Sequence, residues 1–114
     1  MIALALIITG LTVLMVLSNA TKFGHDWAAI RSYCEDGDLG NLGVMRENKQ
    51  QWIMRHMLSA TFGVGFIAYA VSNPSLASHD LLVKLVAVHV VFSLLSVFIE
   101  SLFVRRISQV TVSR

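Results

Sequence analysis

The sequence is poor in charge, cysteine and proline, and each scarcity closes off a class of answer. Only 14% of its 114 residues are charged, against roughly a quarter in a soluble domain. With 9 Lys and Arg against 7 Asp and Glu the formal net charge is +2, too weak a field to call for nucleic acid as a partner. Cys34 stands alone, so no intrachain disulfide can form and no Cys/His set has zinc spacing. Such a thiol reads first as a small loop residue, with palmitoylation as the alternative. No glycine-rich phosphate loop appears, and no serine has a neighbouring His/Asp pattern. The four histidines, His25, His56, His79 and His89, fall at different depths along the chain. His56 near one interface and His89 in the far half are not placed to share a haem. The residues therefore predict no enzyme, no metal and no cofactor.

What the chain has in abundance is apolar sequence, 55% of it, gathered into three blocks. The first runs from Met1 to about Leu17 without a charge. At ~1.5 Å per residue it spans roughly 25 Å, and Ser18 to Thr21 complete a crossing. The second, Met57 to Val71, is short for a hydrocarbon layer of roughly 30 Å. Started at Trp52, with Arg55 reaching back to the headgroups, it becomes long enough, and Trp52 and Tyr69 then sit at opposite interfaces. A re-entrant or interfacial helix is the other reading of this block. The third, Leu81 to Val104, is interrupted by Lys84, His89 and Glu100 and allows a tilted crossing. Asn73-Pro74 and the polar residues to Asp80 predict a tight turn. The expected fold is all-α, an integral membrane protein with three transmembrane helices over 1–20, 52–72 and 81–104. A cytoplasmic loop over 21–51, an external turn over 73–80 and a basic cytoplasmic tail over 105–114 complete it.

The basic residues orient these spans. Lys22, Arg31, Arg46, Lys49 and Arg55 lie between the first two blocks, and Arg105, Arg106 and Arg114 follow the third. Lys84 alone falls near the turn between the second and third. With the N-terminus outside and the C-terminus inside, eight basic residues are cytoplasmic and one is not, as the positive-inside rule requires. Arg55, Arg105 and Arg106 then anchor the cytoplasmic ends. The expected location is a bacterial inner membrane, crossed several times. The first block has no preceding basic residue and is longer than a signal core of about 7–15 residues. Cleaving it would leave the basic loop outside, so it is expected to stay as a span.

Within the loop, Phe23, Trp27, Ile30 and Cys34 recur at spacings of four, three and four. They predict a short amphipathic helix, lying on the inner membrane surface or packed on the ends of the spans. The glycines of Gly37-Asp38-Leu39-Gly40-Asn41-Leu42-Gly43 predict a flexible turn. Counted from Asp36, Asp38 and Glu47 stand at the third and twelfth positions of a calcium loop. Gly40 and Asn41 break that pattern at the fifth and sixth, and solvated acids are the simpler reading. Residues Met45 to Arg55 predict a polar helical run-in to the second span. Asn19-Ala20-Thr21 matches a glycosylation sequon but falls on the cytoplasmic side.

Two faces stand out. His89, Ser93, Ser96 and Glu100, spaced four, three and four, share one side of the third helix. Ionisable groups in a span are costly in lipid, so this face turns toward another helix, another copy or water. Packing through serine hydrogen bonds and an aqueous lining are both open, and Glu100 is placed to reach Arg55, His56 or Arg105. On the second helix Ser59 and Gly63 form a small-xxx-small pair. Thr61, Gly65, Ala68 and Ser72 form another small-residue stripe, suited to close approach of helices. Partners are expected to be membrane lipid, further copies of the chain in a homo-oligomer, and a membrane protein partner.

The layout resembles the class I holins of bacteriophages: three spans, N-out and C-in, with an uncharged first span from Met1, a tight hairpin at Asn73-Pro74 and a basic tail at Arg105-Arg106. The resemblance covers the whole chain as architecture, carries no sequence motif, and departs in the length of the loop between the first two spans. It implies non-enzymatic action. Copies gather in the inner membrane through the small-residue faces and then rearrange into a large lesion. His89, Ser93, Ser96 and Glu100 turn to water, and a cell-wall hydrolase is released. Two other classes compete: a regulatory, immunity or superinfection-exclusion protein that blocks a membrane partner, and an accessory subunit of a larger membrane complex.

Overall fold

The computed structural model of the protein describes residues 2–73 and 80–112, with side chains over 3–73 and 80–110. These residues form three helices: α1, Ile2–Asp36; α2, Leu39–Ser72; and α3, Asp80–Val112. They lie side by side in a rod of 58 × 23 × 14 Å. At ~1.5 Å per residue each is about 50 Å long, well beyond the roughly 30 Å of a hydrocarbon layer. The architecture is all-α, and α1 and α3 are long and apolar enough to cross a membrane.

The stretch expected as a loop over 21–51 is helical except at Gly37 and Asp38. Nothing in it stops a helix before Gly37. It holds no proline, and the single Gly24 costs only about 1 kcal/mol of helix propensity. Gly37 then adopts φ 68°, a left-handed conformation that suits glycine. Its N–H donates to Cys34 O at 3.3 Å and that of Asp38 to Tyr33 O at 2.9 Å, the paired bonds of a Schellman stop. The Asp38 side chain accepts from Asn41 N at 3.1 Å and so caps the start of α2. The predicted glycine-rich turn is therefore two residues long, with Gly40 and Gly43 inside α2. Asp38, entertained as a calcium ligand, is a helix cap, while Asp36 and Glu47 belong to different helices. The other predicted turn falls mostly on residues 74–79, which lie outside the described residues.

Side-chain pairs set the directions. Thr12 meets His89, Asn19 meets Ser96 and Lys22 meets Glu100, so α1 and α3 run parallel. Ser59 meets His89 and Lys49 meets Glu100, so α2 runs against both. Two apolar clusters hold the ends of the rod. Near the Gly37–Asp38 turn, Ile30, Leu42, Phe103 and Ile107 form one, flanked by Phe23, Tyr33, Met45 and Ile99. The segment Phe23–Cys34 thus packs against the other helices as the last turns of α1. In the opposite half Ala60, Val86 and Val90 form the second, with Ile8, Phe66 and Ile67.

The large apolar side chains left exposed are concentrated in one band. It takes in Leu4 to Leu17 of α1, Met54 to Val71 of α2 and Leu81 to Leu102 of α3. Beyond it only Trp27, Leu39 and Val44 are exposed in this way among the described residues. A continuous apolar surface of this extent is foreign to a water-facing monomer.

The two small-residue stripes of α2 have different fates. A Cβ at Gly63 would overlap Val90 Cγ2 and lie 3.5 Å from Val86 Cγ1, so Gly63 is where α2 and α3 come closest. A Cβ at Gly65 would meet nothing within 4 Å, and Thr61, Ala68 and Ser72 are exposed with it. Among the described residues Gly65 and Ala68 thus lie on an exposed face of α2. Gly63→Ala should lower stability by about 1–3 kcal/mol through overpacking. Gly65→Ala should leave it unchanged or raise it by up to about 1 kcal/mol through helix propensity. Unfolding of the two variants in detergent micelles measures the difference, and equal effects would rule out the close α2–α3 contact.

Candidate functional site

Between the two apolar clusters the interior of the bundle is polar. The face predicted from His89, Ser93, Ser96 and Glu100 points inward, and α1 supplies a matching face. His89 Nδ1 lies 2.9 Å from Thr12 Oγ1, and its Nε2 2.9 Å from Ser59 Oγ. One turn on, Ser93 donates to the Met15 sulfur at 3.8 Å. Asn19 Nδ2 then donates to Ser96 Oγ at 2.8 Å, while Ser96 donates to Phe92 O at 2.9 Å. The next rung is ionic. Lys22 Nζ donates to Glu100 Oε1 at 2.7 Å, and Lys49 Nζ sits 3.1 Å from Oε2. Lys49 also pairs with Asp26.

The pairing is a helical repeat written twice. Thr12, Met15, Asn19, Lys22 and Asp26 recur every three or four residues along α1, as His89, Ser93, Ser96 and Glu100 do along α3. Parallel helices in this register bring like positions together rung by rung. The two serines approach within hydrogen-bonding range because they are small. Asn19, the acceptor of the sequon, is buried with its amide on Ser96, which leaves it inaccessible to glycosylation.

Glu100 and Lys49 have no exposed side-chain surface; Lys22 and Asp26 keep 21% and 17%. The partners expected for Glu100 are replaced. Lys22 and Lys49 neutralise it; of the expected partners Arg55 and Arg105 are exposed, as is Arg106, and His56 is buried. Arg55 lies 4.8 Å above the Trp52 ring, and Lys22 3.8 Å from the same ring. Two ammonium groups against two carboxylates make the cluster neutral, as a buried ion group has to be. Burial pushes the Lys49 ammonium below the ordinary lysine pKa, and the hydrogen bond and charge of Glu100 pull it back up. His56 stacks on Trp52 with centroids 5.7 Å apart. It is 5% exposed, and its Nε2 has no hydrogen-bond partner among the described residues.

His89, Ser93, Ser96, Glu100, Ser59 and Gly63 are therefore brought together at the centre of one chain. Gly65, Ala68, Arg55, Arg105 and Arg106 lie outside that centre. Thr12, Lys22, Asp26 and Lys49 complete it without having been singled out as site residues, together with Asn19, noted only as a sequon, and His56, named as a possible neighbour of Glu100. The arrangement defines a class, a parallel-antiparallel three-helix bundle with an apolar coat and an ionisable interior. No protein-family model, no curated protein and no solved structure matches the chain.

Removing one partner from a buried ion group is far costlier than replacing the group whole. Glu100→Gln should destabilise the protein by about 3–5 kcal/mol, by leaving Lys22 and Lys49 with only Asp26. Replacing Lys22, Asp26, Lys49 and Glu100 together with Met or Leu should recover most of that loss. Chemical unfolding of the single and quadruple variants separates the two, and a harmless Glu100→Gln would mean that the cluster does not form.

Proposed function

We propose that the chain is a three-span protein of a bacterial inner membrane, N-terminus outside and C-terminus in the cytoplasm. In this reading it forms homo-oligomers that permeabilise the membrane in the manner of holins. The observation that carries it is a ladder of polar rungs inside a bundle whose outside is apolar. Charged and polar groups at membrane depth are expensive and mark ion or water pathways. The shared band of exposed apolar residues supports a crossing by α2, whose own sequence is short for one. Met54, Met57, Leu58, Phe62, Val64, Tyr69 and Val71 continue the surfaces of α1 and α3. Arg31, Arg46, Arg105 and Arg106 are exposed beyond that band, at the end of the rod bearing the Gly37–Asp38 turn, which supports the cytoplasmic assignment of that end.

The polar ladder is satisfied within one chain. Permeabilisation on this reading thus requires the helices to part, so that His89, Ser93, Ser96 and Glu100 leave Thr12, Asn19, Lys22 and Lys49 for water. The exposed Thr61, Gly65, Ala68 and Ser72 face supports approach of neighbouring copies. No step of this action is catalytic.

A second reading, a regulatory or exclusion protein that binds a membrane partner, is favoured by the ordered cytoplasmic extension. There Trp27 is 55% exposed, as are Leu39 and Val44 to similar degree. Ile30, Arg31 and Arg106 border a groove beside Trp27.

Induced expression in bacteria should end growth abruptly after a delay, with release of a co-expressed cell-wall hydrolase. Gly65→Leu should abolish or retime that lysis. Uninterrupted growth with the protein confirmed in the membrane would refute the lytic reading. Loss of activity on Trp27→Ala and Val44→Glu, with lysis never seen, would select the second. Reporter fusions at the C-terminus and at Gly37–Asp38 should both report the cytoplasm.

A further inference from the structure

The ladder does not cross the whole rod. It begins beside Asp26 and stops at His89, where the apolar cluster takes over. From Glu100 to His89 is 11 residues, about 16 Å along the helix, roughly half of a hydrocarbon layer. We propose that this interior is a proton half-channel, entered from the cytoplasm beside Asp26, ending at His89, and bounded toward the outside by apolar side chains, Val90 together with Ile8, Phe66 and Val86, the last three lining an apolar groove of about 360 Å³ that reaches His89. The proposal rests on the three-span orientation given above, and not on lysis.

Three observations carry it. The first is an entrance. A groove of about 300 Å³ lies between α1 and α2 near the cytoplasmic end, lined by Asp26, Tyr33, Asn41 and Asn48 among others. It brings solvent to the carboxylate that pairs with Lys49. The second is a buried polar atom that the fold leaves without a hydrogen-bond partner among the described residues, His56 Nε2. Glu100 Oε2, by contrast, is held by Lys49 Nζ at 3.1 Å. An unsatisfied buried polar atom costs about 1–3 kcal/mol, and a water molecule is the usual remedy where several polar groups converge. His56 stands on α2 at the height of Ser93 on α3, between the Asn19–Ser96 rung and His89, where a relay needs a group. The third is the terminus. Both ring nitrogens of His89 already sit in hydrogen bonds, to Thr12 and Ser59, so the ring can accept a proton on one nitrogen and release one from the other.

The groups facing this path are Lys22 and Asp26 from α1, Lys49 and His56 from α2, and His89 and Glu100 from α3. Lys22 and Lys49 already occupy the Asp26 and Glu100 carboxylates, so a metal cation would have to displace an ammonium group, whereas a proton passes by exchange among oxygens and nitrogens. Each proton entering displaces one already bound or returns the way it came. The closed path therefore carries no net current, and flux needs the apolar plug to open.

Full-length protein in lipid bilayers tests the path without altering it. In solid-state NMR with magnetisation transferred from water, the rings of His56 and His89 should light up while Ile8, Val86 and Val90 stay dark. Dry histidines overturn the proposal. Opening the plug tests conduction. Val86→Ser with Val90→Ser extends the stripe outward. In vesicles holding a pH dye under a potassium potential it should raise proton uptake about tenfold over wild type, as expected for removing a hydrophobic constriction. Carboxyfluorescein should be retained, and adding His89→Leu should abolish the uptake. A helical, membrane-inserted double variant that leaks no faster overturns the proposal, as does a leak surviving His56→Leu and His89→Leu. Loss of carboxyfluorescein overturns it as well, because it assigns the leak to a lesion between copies.

Discussion

Glu100 is a carboxylate with no exposed surface, and the fold is arranged around neutralising it. No residue near it in sequence does so. Its partners come from two other helices, Lys22 on α1 and Lys49 on α2. Shifting either helix by one residue turns the lysine away by about 100° and strands a buried charge, an error of several kcal/mol. One side chain thereby sets the register of all three helices. It also explains why α1 and α2 are so long, since both lysines lie in segments that a minimal crossing would leave as loop.

The helix pairs are joined by different forces. α2 and α3 meet through small and branched side chains, Gly63 against Val86 and Val90, with dispersion and shape as the adhesive. α1 meets α3 mainly through polar rungs and touches α2 less. In lipid the hydrophobic effect does not bring apolar helices together, so a polar rung confers specificity that a leucine cannot. The polar layer lies between two apolar clusters to which all three helices contribute.

Much of this was legible in the sequence. Three apolar blocks announced three helices, and the four-three-four spacing put His89, Ser93, Ser96 and Glu100 on one face of α3 while leaving open whether a helix, another copy or water meets it. What faced it was hidden by a boundary. Ending the first helix near Ala20 separates Thr12 and Asn19 from Lys22 and Asp26, and the repeat they share disappears. Read as one helix to Gly37, the match with α3 is plain. Lys49 carries no local sign of burial, because a lysine in a polar segment is ordinarily solvated and its environment is made by residues far along the chain. The two small stripes of α2 are adjacent on the helix, and spacing alone does not say which one meets α3. Asp38, weighed in the sequence only as a calcium-loop position, becomes a helix cap through its bond to Asn41 N, which shows only in the fold.

The parallel alignment of α1 with α3 has a consequence for biosynthesis. Lys22 leaves the ribosome 78 residues before Glu100, which at about 5–20 residues per second is roughly 4–16 s. During that interval α1 and then α2 are made with no carboxylate from α3 to receive their lysines. Closure of the bundle is thus timed by the last helix to be synthesised, and a nascent chain halted short of Glu100 retains Lys22 and Lys49 with Asp26 as their one carboxylate.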